Sequence, residues 1–184
     1  LSGSASDLVF GDGFESYDDF SLSLSPWTQY DGDLSSTYAI TDYQFTNEFY
    51  TGSYIAFNPT TTSPALTTNW TAYSGSKYAA AFASTTSPNN DWLISPAIAL
   101  GSEASLSFWA KSVTDQYGLE RFKVLYSTTG NSYTDFTNYL AGSASSYIEA
   151  PTEWTLYQYE LPQSCANSNV YIAIQCVSNE AFVF

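Results

Sequence analysis

Carboxylates are the side chains in this sequence best placed to do chemistry. Asp12, Glu15, Asp18, Asp19, Asp31 and Asp33 crowd its N-terminal part. Acidic groups with nearby backbone carbonyls and Asn amides form the donor set of a hard cation such as calcium, which takes about six to eight oxygens at ~2.3–2.6 Å. Asp31-Gly32-Asp33 sets two carboxylates either side of a flexible glycine, so both can turn toward one ion. The run is not an EF-hand, because the glycine and the closing glutamate of that loop are missing. Both aspartates can equally act as turn residues that hydrogen-bond their own backbone. Asp91, between Asn89-Asn90 and Trp92, either caps its loop by accepting backbone N–H bonds or offers an oxygen to an ion.

The second group is aromatic: 16 Tyr, 12 Phe and 5 Trp. Exposed rings stack on sugars or anchor protein partners. Trp70, Tyr73, Tyr43, Tyr50 and Tyr54 lie in or beside two stretches, residues 31–52 and 59–76, that read as long loops. Loops of that length are where a ligand is sought, although a decorative surface role fits them equally. Trp27, Trp92, Trp109 and Trp154 sit in strand-like runs and are assigned to the core.

Catalysis has little to work with. The chain has no His, which removes the usual proton shuttle, a Ser-His-Asp triad and a His-ligated zinc. A hydrolase built on carboxylates alone needs two of them facing at ~5–10 Å. Glu120, Glu149, Glu153 and Glu160 are available, and no spacing singles out a pair.

Eighteen acidic residues against 4 basic ones give a net charge of −14. That balance opposes binding to nucleic acid, which needs a Lys/Arg patch to displace counterions, and to anionic membrane. Arg121 and Lys123 are the one basic cluster, read as answering acidic neighbours or guarding an edge strand. No run approaches the ~18 apolar residues of a spanning helix. The small residues at the start suggest a linker over 1–7, followed by one domain over 8–184 cut from a longer protein.

What must position these groups is a set of strands. Phe122, Val124 and Tyr126 alternate with Arg121 and Lys123, and Tyr157, Tyr159 and Leu161 alternate with polar neighbours. That period of two gives one buried and one wet face. Residues 54–57, 78–82, 92–94, 105–110 and 170–174 add further strands, divided by turn clusters at 58–59, 74–76, 87–90, 129–131 and 162–164. Short strands between such turns predict an all-β sandwich or barrel without substantial helix. Cys165 lies in a turn and Cys176 at the far end of a strand, too far apart for an easy bridge. Two free thiols are expected.

In order, these segments resemble the cleaved-adhesin, or choice-of-anchor J, domains of Bacteroidetes surface and secreted proteins. The resemblance rests on Gly13-Phe14-Glu15, Trp27-Thr28, Ser76-Lys77-Tyr78-Ala79-Ala80, Asn90-Asp91-Trp92-Leu93-Ile94-Ser95-Pro96, Leu106-Ser107-Phe108-Trp109-Ala110, the run from Glu120 to Thr128, Trp154-Thr155 and Val170-Tyr171-Ile172-Ala173-Ile174. It implies a jelly-roll β-sandwich of the galactose-binding or MAM-like kind, commonly with structural calcium. It further implies an extracellular or surface module that binds a host or neighbouring protein, or a glycan, without catalysis. A spacer role beside an attached domain is the alternative. By resemblance Glu15 is the first choice of metal ligand. Family members continue past a segment like Ala181-Phe182-Val183 into an acidic pair and a closing strand, so a domain lacking that strand and any ligand on it is expected.

Overall fold

The computed structural model describes residues 7–86 and 88–184. The linker residues before Asp7, and Ser87 of the turn at 87–90, lie outside them. The alternating runs become strands. β1 (Thr28–Asp31), β4 (Asp91–Ile94), β11 (Asn169–Cys176), β7 (Arg121–Ser127) and β8 (Asn138–Ala141) lie side by side in that order. Two short strands extend this antiparallel sheet, β5 (Ile98–Ala99) on β11 and β9 (Ile148–Glu149) on β7.

The facing layer is split. β2 (Ile55–Phe57) pairs with β3 (Tyr78–Ala80), and β6 (Ser105–Ala110) pairs with β10 (Thr155–Glu160), both antiparallel. Residues 182–184 run beside 81–83, with reciprocal bonds between Ala81 and Phe184, and Val183 reaches Val113 just past β6. The two halves are thereby joined at one end. No α-helix occurs among the described residues, only 3-10 turns. The sandwich expected from the alternation is present.

Burial explains the patterns. Phe122 and Val124 on β7, with Val170 and Ile172 on β11, pack against Leu106, Phe108, Tyr157 and Tyr159 of the facing layer. Beside them Leu93 and Cys176 meet Tyr54, Ala56 and Ala81. β7 departs from the simple expectation of one wet face. Leu125 points outward and is buried with Trp92, Ile94, Ala173 and Phe136, because the segment 132–136 folds over that side of the sheet. Nor is β7 an edge, being flanked by β11 on one side and β8 and β9 on the other. Arg121 therefore guards nothing. It reaches Glu149 at 3.4 Å and lies 4.5 Å over the Tyr147 ring. Cys165 and Cys176 are free and buried, as their spacing suggested.

The larger surprise is the fate of the long loops. Residues 32–54 and 58–77 wrap the outer side of β2–β3 and build a second core there. Phe20, Ile40, Tyr50, Leu66 and Phe82 surround Ile55 and Phe57, with Tyr43, Phe45 and Trp70 packed against them.

Candidate functional site

Two places in the molecule gather functional side chains, one acidic and one aromatic. The acidic one follows from strand register. β1 and β4 pair so that Asp31 stands opposite Asp91, and Asp33, two residues on, returns to the same side. Carboxylate oxygens of Asp31, Asp33 and Asp91 lie within 4.8 Å of one another. Gly32 makes the approach feasible: its N–H donates to the Asn90 carbonyl at 2.8 Å, and a Cβ there would meet the Asn90 amide nitrogen at 2.2 Å.

Asp31 Oδ1 accepts from the N–H groups of Asp33 and Leu34, and Asp33 accepts from those of Ser35 and Asn90. These are the turn bonds read from the sequence, plus one that ties the loop to β4. Asp91 is 2 % exposed. Its Oδ2 accepts from the Asn89 side-chain amide at 2.6 Å, and its Oδ1 is buried with no partner. The backbone-capping role open to it is thus absent, its one donor being a side chain. Burial, reinforced by the charges of Asp33 and Asp31, pushes the Asp91 carboxyl up to about 8. Like charges directly opposite on neighbouring strands destabilise a sheet, so this pairing costs energy unless something offsets it.

Glu15 stands apart from this group. Its Oε1 accepts from the N–H groups of Ser76 and Lys77 at 2.9 and 2.8 Å, and its Oε2 from the Ser76 hydroxyl. Those bonds hold the carboxyl below the usual range. Its place is to pin the turn at 74–77 to the N-terminal segment. Asp12 organises that segment too, accepting from Phe14 N–H, Tyr17 hydroxyl and Trp27 Nε1.

The aromatic site lies between β3 and β6, which share no ladder. A largely apolar cavity of about 340 Å³ opens there, lined by Phe10, Phe14, Trp27, Phe108, Trp109 and Ile174 among others. At its mouth Tyr73 stacks on Trp109 with ring centroids 3.9 Å apart, and Trp154 meets Tyr73 edge-on at 6.4 Å. Trp154 is held by its Nε1–H bond to Thr71 O, and Lys111 Nζ sits 5.9 Å over its ring. Tyr73 is 51 % and Trp109 38 % exposed. Beside Trp109 on β6 and β10 lie the exposed Ser107 and Gln158, cross-strand partners of each other. The one carboxylate lining the cavity among the described residues is Asp12, already committed as above.

Residues 52–157, from β2 to within β10, match the family model described as Cleaved Adhesin Domain. The chain belongs to this family. Among solved structures, the K2 cleaved adhesin domain of Lys-gingipain is similar over 95 % of this chain and 94 % of its own, at 18 % identity and TM-score 0.62. The K1 domain of Lys-gingipain from Porphyromonas gingivalis W83 is similar over 87 % and 86 %, at 20 % identity and TM-score 0.57. The K3 domain from the same organism gives 18 % and 0.57. Likeness at this identity carries the fold. No curated protein matches the chain.

Set in this cleaved adhesin fold, the loop aromatics need correcting. Tyr50 and Tyr54 are 6 % and 2 % exposed, with hydroxyls donating to Ser53 O and Ile174 O. Tyr43 and Trp70 pack on the outer core. Two of these five rings, Tyr50 and Tyr54, are therefore interior and two more, Tyr43 and Trp70, are half-buried against the core, because β2 is buried on both faces and needs apolar cover from the loops. Tyr73 alone is strongly exposed. Its partner Trp109 was read as core from its strand, yet it falls on the outward phase of β6 opposite Leu156. Counting alternation from Phe108, half-buried against the inner core, would have placed it outside.

Proposed function

We propose that this domain is a non-catalytic, adhesin-like binding module of a secreted or surface protein, and that it takes its ligand at the Tyr73–Trp109–Trp154 mouth. The observation that carries this reading is the stacked, solvent-exposed Tyr73–Trp109 pair at the opening of an apolar cavity. Rings left exposed and held rigid by neighbours give contact area at low entropic cost. Ser107 and Gln158 beside them supply donors and acceptors suited to sugar hydroxyls, which favours a glycan stacked on the aromatic pair. A protein partner is the second reading, supported by the cavity behind the mouth, which suits an apolar side-chain anchor. Family membership supports an adhesin role, and the commitment of Asp12 to structural bonds gives a hydrolytic reading no carboxylate pair in the cavity.

The test is binding of the wild-type domain and of Tyr73→Ala/Trp109→Ala to a broad glycan array and to immobilised extracellular-matrix proteins. Glycan binding that falls at least ten-fold in the double variant supports the first reading, and the same loss confined to proteins supports the second. Binding that survives unchanged would place the contact elsewhere.

A further inference from the structure

The cavity behind the mouth carries an inference that goes beyond the macromolecular ligand proposed above and does not rest on it. The cavity runs between the two layers, with Leu93 of β4 and Ile172 and Ile174 of β11 on one side and Leu106 and Phe108 of β6 and Ala79 of β3 on the other. Its volume of about 340 Å³ falls in the range of small-molecule sites, roughly 300–1,000 Å³, which are mostly apolar with a few placed polar groups. Most titratable groups along it are committed. Asp12 accepts three bonds, Lys77 pairs with Asp19 at 3.0 Å, and the Tyr54 and Tyr78 hydroxyls donate to the carbonyls of Ile174 and Trp70. Such an interior offers little to a polar ligand body and suits an apolar one.

Lys111 is the exception. It lines the cavity just past β6, half-buried, with Nζ donating to Asn69 O at 2.7 Å and lying 5.9 Å over the Trp154 ring. An ammonium has three donors, and Lys111 makes no ion pair among the described residues. Burial lowers its pKa, and Glu153, which pulls the other way, stops short of a pair. A cation drawn partly out of water without a counter-charge costs energy that an arriving anion offsets.

We infer that this cavity binds a small apolar carboxylate of the fatty-acid kind, with its alkyl chain between the layers and its carboxylate on Lys111 Nζ. A charge-assisted hydrogen bond fixes the head at the mouth, and burial alone holds the chain.

The experiment titrates the domain with octanoate, decanoate and decanol, read by calorimetry and by the fluorescence of Trp27, Trp109 and Trp154, which line the cavity. Decanoate should bind saturably at one site. It should bind more tightly than octanoate by about four-fold per added methylene, and more tightly than decanol by about ten-fold or more. Lys111→Met should bind decanoate no better than decanol, while its decanol affinity and thermal midpoint stay near those of wild type. Ala79→Leu, which fills the cavity, should weaken decanoate and decanol alike. Absence of saturable decanoate binding in the wild type overturns the site, as does a preference for acid over alcohol that survives Lys111→Met. These titrations contain no glycan and no protein partner, so a domain that binds either of those but not decanoate keeps the proposed function and loses this site.

Discussion

Glu120 shows how one buried carboxyl governs a joint of the sandwich. It is 1 % exposed; its Oε1 accepts from Phe182 N–H at 2.5 Å, and its backbone bonds Ser112 and Ala150. It thus links β7 to the C-terminal segment and to the segment leaving β6. Burial raises its pKa to about 7 despite the bond from Phe182. Since the folded value lies above the unfolded one, the neutral form favours folding at low pH, and that advantage is lost as pH rises from about 4.5 to about 7. Glu120→Gln keeps the acceptor for Phe182 and removes the titration. Denaturant unfolding should show the variant gaining on wild type across that window, by on the order of 3 kcal/mol above pH 7. A constant difference from pH 4 to 8 would mean that Glu120 has the same pKa in the folded and the unfolded chain, and would contradict the shift.

At the scale of elements, the turn at 74–77 repays testing. Gly75 has φ +67°, and a Cβ there would lie 2.4 Å from Glu15 Oε1. Gly75→Ala therefore strains the backbone and displaces the carboxylate that pins the turn. A loss of roughly 2 kcal/mol is expected, with Glu15→Ala costing about 1 kcal/mol because its bonds are exposed. The two losses should fall short of additive when combined, since both break one contact. Additive losses in a thermal-melt cycle would contradict the coupling. This turn was legible in the sequence, as were β6, β7, β10 and β11, because alternation and Gly or Pro punctuation agree there. β8 escaped notice: Asn138 to Ala141 has a single buried residue, and a register shift in its ladder with β7 takes up the irregularity. β5 and β9 are two residues each, too short to show any period. β1 ends on Asp31, where the Asp-Gly-Asp turn signal masks the strand. For the acidic site, Asp31 and Asp33 could be paired from local spacing, whereas bringing Asp91 beside them needed the β1–β4 register, which the sequence does not display.

At the scale of the molecule, two layers leave one open seam. β2 and β6 belong to the same layer but have different neighbours, and aromatic side chains were used in opposite ways on the two sides of it. Around β2 the loops turn their rings inward and close a core; along β6 the outward phase leaves Trp109 to solvent, with Tyr73 laid on it. Sequence position alone had suggested the reverse, because loop rings are commonly surface groups and strand rings commonly core. The division is tested most directly by comparing Trp70→Ala with Trp109→Ala for thermal midpoint and for ligand binding side by side. Trp70→Ala should lose roughly 3 kcal/mol, or roughly 6–12 °C, while the fraction that remains folded binds as wild type. Trp109→Ala should melt within a few degrees of wild type and lose at least ten-fold in affinity. A Trp109→Ala variant that melts early and binds normally, with Trp70→Ala doing the opposite, would contradict the account.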